Sequence, residues 1–171
     1  FNAVSSYGSN RIAETGNVDF CYNEVWGDED QFKDLYTIIK TNDMNSNHTL
    51  KSIFAAYMNY ECSNREFNIP GVLLTDAVIF ALGGAHLELG DHMLCREYFP
   101  SQDVKMSPAL KTLIVRYYDF MTAYQNLLRG ESSKAEVQVE VVSTATRKVP
   151  FNNWPPKEAS VTTYAKKIGD K

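Results

Sequence analysis

Between Phe1 and Gly130 the sequence alternates strand-length apolar runs with helix-length segments, an order that restricts the fold to a parallel sheet joined by crossover helices. Phe1–Val4 reads as the end of a strand, Ser9–Glu14 as a short helix closed by Gly16, and Val18–Glu24 as a buried strand. From Asp30 to about Met44, the residues Phe32, Leu35, Tyr36, Ile38 and Ile39 recur at helical spacing behind a carboxylate suited to capping. Lys51–Tyr60 is the next strand, with Ile53, Phe54, Ala55 and Ala56 as its buried centre. A nearly all-apolar helix runs from about Gly71 to Leu82 and stops at Gly83-Gly84. Ala85–Leu89 is a short strand that puts His86 and Glu88 on one face. Ser107-Pro108 is a cap with a first-turn proline, opening a helix to Arg129.

This order is that of a (β/α)8 barrel, but such a barrel needs about 250 residues and eight strands. Three strands and the end of a fourth make the α/β region, residues 1–130, look like the C-terminal half of a TIM barrel. Past Gly130 the pattern becomes period-two, with Val137, Val139 and Val141 alternating against Gln138, Glu140 and Val142. Val161–Ile168 reads as a further strand, so residues 131–171 look like the truncated start of an all-β, sandwich-like domain.

Composition removes several function classes. A net charge of -4 argues against a nucleic-acid partner, whose phosphates call for a basic face. No run of about 18 apolar residues is present, so no segment is expected to insert in a membrane. The 3 cysteines, Cys21, Cys62 and Cys95, form no C-x-x-C pair and read as reduced thiols.

A barrel strand delivers side chains to a catalytic centre at its C-terminal end. In Val18-Asp19-Phe20-Cys21-Tyr22-Asn23-Glu24-Val25-Trp26 the apolar strand runs straight into Glu24, flanked by an amide and an indole, which makes Glu24 the candidate acid. Asn2, Asn23 and Asn59 stand at expected strand tops, where an amide can bridge two hydroxyls of a ligand. Trp26, Tyr57 and Tyr60 stand where their rings could stack on the apolar face of a ligand. His86, Glu88, Asp91 and His92 also raise a metal site, since two imidazoles and two carboxylates fall within one short stretch. A zinc deaminase would need a Pro-Cys-x-x-Cys partner to its His-x-Glu, and only Cys95 follows.

Several blocks in order resemble the catalytic domain of glycoside hydrolase family 66, the endo-dextranases and cycloisomaltooligosaccharide glucanotransferases. They are Phe1-Asn2-Ala3-Val4, Asp19 to Trp26 with its Glu-Val-Trp ending, Ala55-Ala56-Tyr57-Met58-Asn59-Tyr60 and Phe67-Asn68. Leu73-Leu74, Asp76-Ala77, His86-Leu87-Glu88-Leu89-Gly90-Asp91-His92-Met93-Leu94-Cys95, Tyr98-Phe99-Pro100 and Tyr117-Tyr118-Asp119-Phe120 extend the resemblance across nearly the whole chain.

The resemblance implies retaining hydrolysis of internal α-1,6-glucosidic bonds of dextran, yielding isomaltooligosaccharides without a cofactor or metal. It casts Glu24 as the acid/base. The nucleophilic Asp is expected about two βα units upstream, outside this chain, so the chain without the missing N-terminal half-barrel should be inert. Retaining enzymes hold these two carboxyls about 5 to 5.5 Å apart. Under this reading His86, Glu88 and Asp91 line the site for sugar hydroxyls rather than bind metal. The cyclising members carry a binding module after the strand matching Ala55–Tyr60; only Glu61–Pro70 intervenes here, which favours a plain dextranase. A glucanotransferase and a non-catalytic glucan-binding relative are the alternatives. Because dextran is too large to enter a cell, the enzyme is expected to be secreted or surface-attached. Asn47-His48-Thr49 matches a glycosylation triplet, a pattern that is common by chance.

Overall fold

A computed structural model describes residues 3–4, 7–25, 29, 31–56, 66–87, 105–130, 133–135, 151–152, 161–162 and 165–169 of the chain. Two compact units are formed, Phe1–Arg129 and Gly130–Lys171.

The first unit is built on four parallel strands, β1 (Ala3–Val4), β2 (Cys21–Val25), β3 (Ser52–Ala56) and β4 (Ala85–His86), which follow one another across the sheet in chain order. A helix stands in each crossover: α1 (Ser9–Glu14), α2 (Phe32–Asn45) and α3 (Ile69–Ala81). A further helix, α4 (Pro108–Ala123), follows β4. This is the expected α/β alternation with a parallel sheet.

The helix starts are set by local chemistry. α2 is entered at Gln31, whose backbone N–H donates to the Asp34 carboxylate at 2.9 Å, so the capping carboxylate lies inside the first turn; Asp30 is outside the described residues. α3 begins two residues before the expected Gly71, because the Asn68 side chain accepts from Gly71 N–H at 3.0 Å and Pro70 suits the first turn. α4 opens as read from sequence, with Ser107 Oγ accepting from Leu110 N–H at 3.1 Å.

The helix expected to reach Arg129 is interrupted. Tyr124 leaves helical geometry at φ -108° and ψ 14°, its ring tilted against Phe120 with centroids 4.7 Å apart, and the short helix α5 (Gln125–Leu128) resumes beyond it. The expected Ala85–Leu89 strand is described as far as Leu87, whose N–H still donates to Phe54 O.

Between α3 and α4 lies one core cluster, Phe67, Val72, Leu110 and Ile114, and beside α1 another, Ala13, Cys21 and Leu50. In the second unit, β5 (Ser133–Ala135) pairs antiparallel with β8 (Ala165–Lys167), and β6 (Phe151–Asn152) pairs parallel with β7 (Val161–Thr162). The Val137–Val142 alternation lies outside the described residues.

The Gly83-Gly84 pair has two separate jobs. Gly83 ends α3 in the left-handed region, φ 85°, with its N–H on Phe80 O and that of Gly84 on Ile79 O. Gly84 is needed for space: a Cβ there would sit 3.0 Å from Ile79 Cγ2, 3.3 Å from the Ser52 carbonyl and 3.4 Å from Ile39 Cδ1. Gly84→Val is therefore expected to destabilise by about 1–3 kcal/mol through overpacking where β3, α2 and α3 meet. A fall in thermal midpoint of the full-length protein checks this, and an unchanged midpoint would refute it.

Candidate functional site

Side chains alternate across a strand, and residues paired in register share a face. Cys21 packs on Ala13 and Leu50, Asn23 bonds Asn42 of α2, and His86 bonds Asp76 of α3. Together with the pairings Asn23↔Phe54 and Phe54↔His86, these contacts identify the side of the sheet covered by helices. Tyr22, Glu24, Ile53, Ala55 and Ala85 belong to the other side, where Tyr22 packs on Ala55.

Glu24 is the penultimate residue of β2, next to Ala55 in register, and only 3% exposed. The carboxyl end of a parallel strand is where α/β folds present side chains to a ligand. Glu24 is the one described candidate that combines that end of the strand with the side opposite α1, α2 and α3.

Asn23 and His86, expected among the sugar contacts, are instead engaged in the helix layer. Asn23 Oδ1 accepts from Asn42 Nδ2 at 2.8 Å. His86 Nδ1 lies 2.7 Å from Asp76 Oδ1, both side chains are almost wholly buried, and the Tyr118 hydroxyl donates to the His86 carbonyl. The reason is parity: Asn23 neighbours Glu24 and must point the opposite way, and His86 follows it through Phe54. Asn2, Trp26, Tyr57, Asn59, Tyr60, Glu88, Asp91 and His92 lie outside the described residues. Among the described residues no group of three or more His, Cys, Asp or Glu gathers as a metal site.

Two side chains that the sequence reading passed over stand in connections at the Glu24 end of the sheet. Tyr7, between β1 and α1, is 88% exposed. Glu29, between β2 and α2, keeps Oε2 buried with no hydrogen-bond partner among the described residues. Its carboxyl is pushed above the usual range by burial and secondarily by the charge of Asp34. Their position in strand-to-helix connections was the available signal. A cleft of about 220 Å³ lined by Ser9, Ile12, Asn17, Val18, Asp19, Phe20, Cys21 and Tyr22 flanks the beginning of β2, the opposite end of that strand from Glu24. Cys21 is a free, buried thiol whose pKa burial raises, which makes it a weak nucleophile.

The sequence model of Glycosyl hydrolase family 66 matches residues 1–171. A cycloisomaltooligosaccharide glucanotransferase of Niallia circulans is 44% identical over 64 residues, which is 36% of this chain and 7% of that protein. A second glucanotransferase of the same organism is 41% identical over 64 residues. A dextranase of Streptococcus salivarius is 26% identical over 184 aligned residues, covering 86% of this chain and 22% of that protein. The chain spans 7% to 22% of the length of these relatives.

His86→Leu is expected to destabilise the protein by about 3–5 kcal/mol, because the buried Asp76 carboxylate loses its partner, whereas the paired change Asp76→Leu/His86→Leu recovers most of the loss. Thermal unfolding of both variants tests this, and equal loss in the two would refute it. For Glu29 the folded-state pKa lies above its unfolded value, so wild-type stability declines as pH rises through the carboxylate range. Glu29→Gln should therefore match the wild type in acid and unfold at a higher temperature at neutral pH. A melting series across that range measures the difference.

Proposed function

The chain belongs to glycosyl hydrolase family 66, and on that premise we propose that it is part of the catalytic domain of an enzyme that hydrolyses internal α-1,6-glucosidic bonds of dextran with retention of configuration. The observation that carries the reading is Glu24, a carboxyl buried at the carboxyl end of β2 on the side of the sheet opposite α1, α2 and α3. Parallel strands in chain order with a helix after each are the repeating unit of a (β/α)8 barrel. Parallel sheets are covered on both faces. In a barrel the side that carries Glu24 is the interior, and the remaining strands come from sequence outside these residues. Residues 131–171 begin the β-rich domain that follows.

In the proposed reaction the carboxyl group of Glu24 protonates the glucosidic oxygen while an Asp carboxylate from outside these residues attacks the anomeric carbon. The carbon–oxygen bond breaks, one dextran segment leaves as an alcohol, and a glucosyl ester remains on the Asp. Glu24, now a carboxylate, takes a proton from water as the water oxygen attacks the same carbon. The ester opens and the starting protonation state returns. A sugar hydroxyl in place of water gives transfer, and the far end of the same glucan chain gives a cyclic product.

Hydrolysis is the preferred outcome because the dextranase similarity extends over most of the chain and the β3–α3 connection, from Ala56 to Ile69, is short. The 44% identity to a glucanotransferase over 64 residues favours transfer as the second reading. A polymeric substrate places the enzyme outside the cell.

The test is the product spectrum, by mass, of the full-length protein and its Glu24→Gln variant on dextran. Linear isomaltooligosaccharides are expected from the wild type, with turnover in the variant reduced by about 10²- to 10⁴-fold and dextran binding retained. Cyclic products would shift the reading to the transferase. Near-normal turnover by the variant would remove Glu24 from the mechanism.

A further inference from the structure

Directly behind Glu24, on the helix side of the sheet, three polar side chains are buried together in a mainly apolar layer. Asn42 stands in the buried stripe Leu35, Ile38, Ile39, Asn42 of α2, where the spacing would accept another aliphatic residue. Its Nδ2 donates to Asn23 Oδ1 at 2.8 Å and to Ser52 Oγ at 2.9 Å, so one amide ties α2 to both β2 and β3. The other half of that amide is left over: Asn42 Oδ1 is buried with no hydrogen-bond partner among the described residues.

An arrangement of this kind costs stability relative to hydrocarbon of similar size. The best-attested use of such buried polar contacts is to select one register over its neighbours. Register has a chemical consequence at this position. Because side chains alternate, a slip of one residue would exchange Asn23 with Glu24 and turn the carboxyl into the helix layer. The Asn42–Asn23 bond forms only when Asn23 faces α2, which is the arrangement that leaves Glu24 on the opposite side of the sheet.

We propose that Asn42 is a positioning residue for Glu24, holding β2 at the face and height at which its carboxyl meets the substrate; this rests on the reading of Glu24 as the acid/base. Small displacements matter at such a group, since a misplacement of about 1 Å can cost on the order of 100-fold in rate.

The experiment compares wild type, Asn42→Leu, Ser52→Ala and Glu24→Gln in the full-length protein on dextran. Asn42→Leu is expected to lower the thermal midpoint modestly, because Asn23 Oδ1 and Ser52 Oγ lose their donor, and to lower kcat by about 10- to 100-fold, more than the loss of folded protein accounts for. KM should be nearly unchanged, and the limb of the pH profile of kcat/KM that reports the proton donor should be displaced. Ser52→Ala, which deletes one acceptor with little risk to folding, should change kcat and the profile in the same direction by less. Wild-type kcat and pH profile in both variants, beside an inactive Glu24→Gln, would overturn the positioning role and leave the acid/base reading intact. A kcat loss that merely tracks loss of folded protein, with an unaltered profile, would overturn it as well. An active Glu24→Gln would remove the acid/base reading itself, and the positioning role with it.

Discussion

The two-residue period of a β-strand governs this structure more than any single contact. Adjacent residues on β2 serve opposite layers, so the chemistry available on each side is decided by odd or even position. Cys21 and Asn23 go to the helices, while Tyr22 and Glu24 go to the other side. In-register pairing transmits the same choice across the sheet, from Asn23 through Phe54 to His86. The carboxyl of Glu24 and the imidazole of His86 therefore lie on opposite faces of the sheet.

The helix layer is where the structure spends its polar groups structurally. Most of what α2 and α3 bury against the sheet is aliphatic or aromatic, yet each helix also buries one polar residue bonded to a strand: Asn42 to Asn23 and Ser52, Asp76 to His86. Desolvating these groups is unfavourable unless their bonds are made, so each bond tolerates few alternative packings. Tyr118 adds a third tie to the same region by donating to the His86 carbonyl, with its ring set edge-on to Phe80 at 5.3 Å. β4 is two residues long, and these contacts hold it to both α3 and α4.

Much of the fold was legible residue by residue. The helix at Ser9–Glu14 and the start of α4 at Ser107-Pro108 agree with their caps and turn signals because those signals act within one helical turn. The apolar centre of β3 agrees because a buried strand announces itself by composition. The entry to α3 was read late, since Asn68 is an ordinary polar residue until its side chain is seen to accept from Gly71. The break at Tyr124 was missed because helical spacing continues across it. At the site, Glu24 could be picked out by where its strand stops. Tyr7 and Glu29 were passed over because exposure and a buried orphan oxygen are properties of three-dimensional placement.

By itself the sequence determined the alternation of strands and helices, the local caps, membership of a glycosidase family and the identity of one candidate acid, all of which depend on residue type, order and short spacing. Only the tertiary structure decided which side of the sheet the helices cover, and hence that Asn23 and His86 are bound to Asn42 and Asp76 rather than directed with Glu24. The physical reason is that a strand read alone has two equivalent faces. Packing a helix against one of them makes them different.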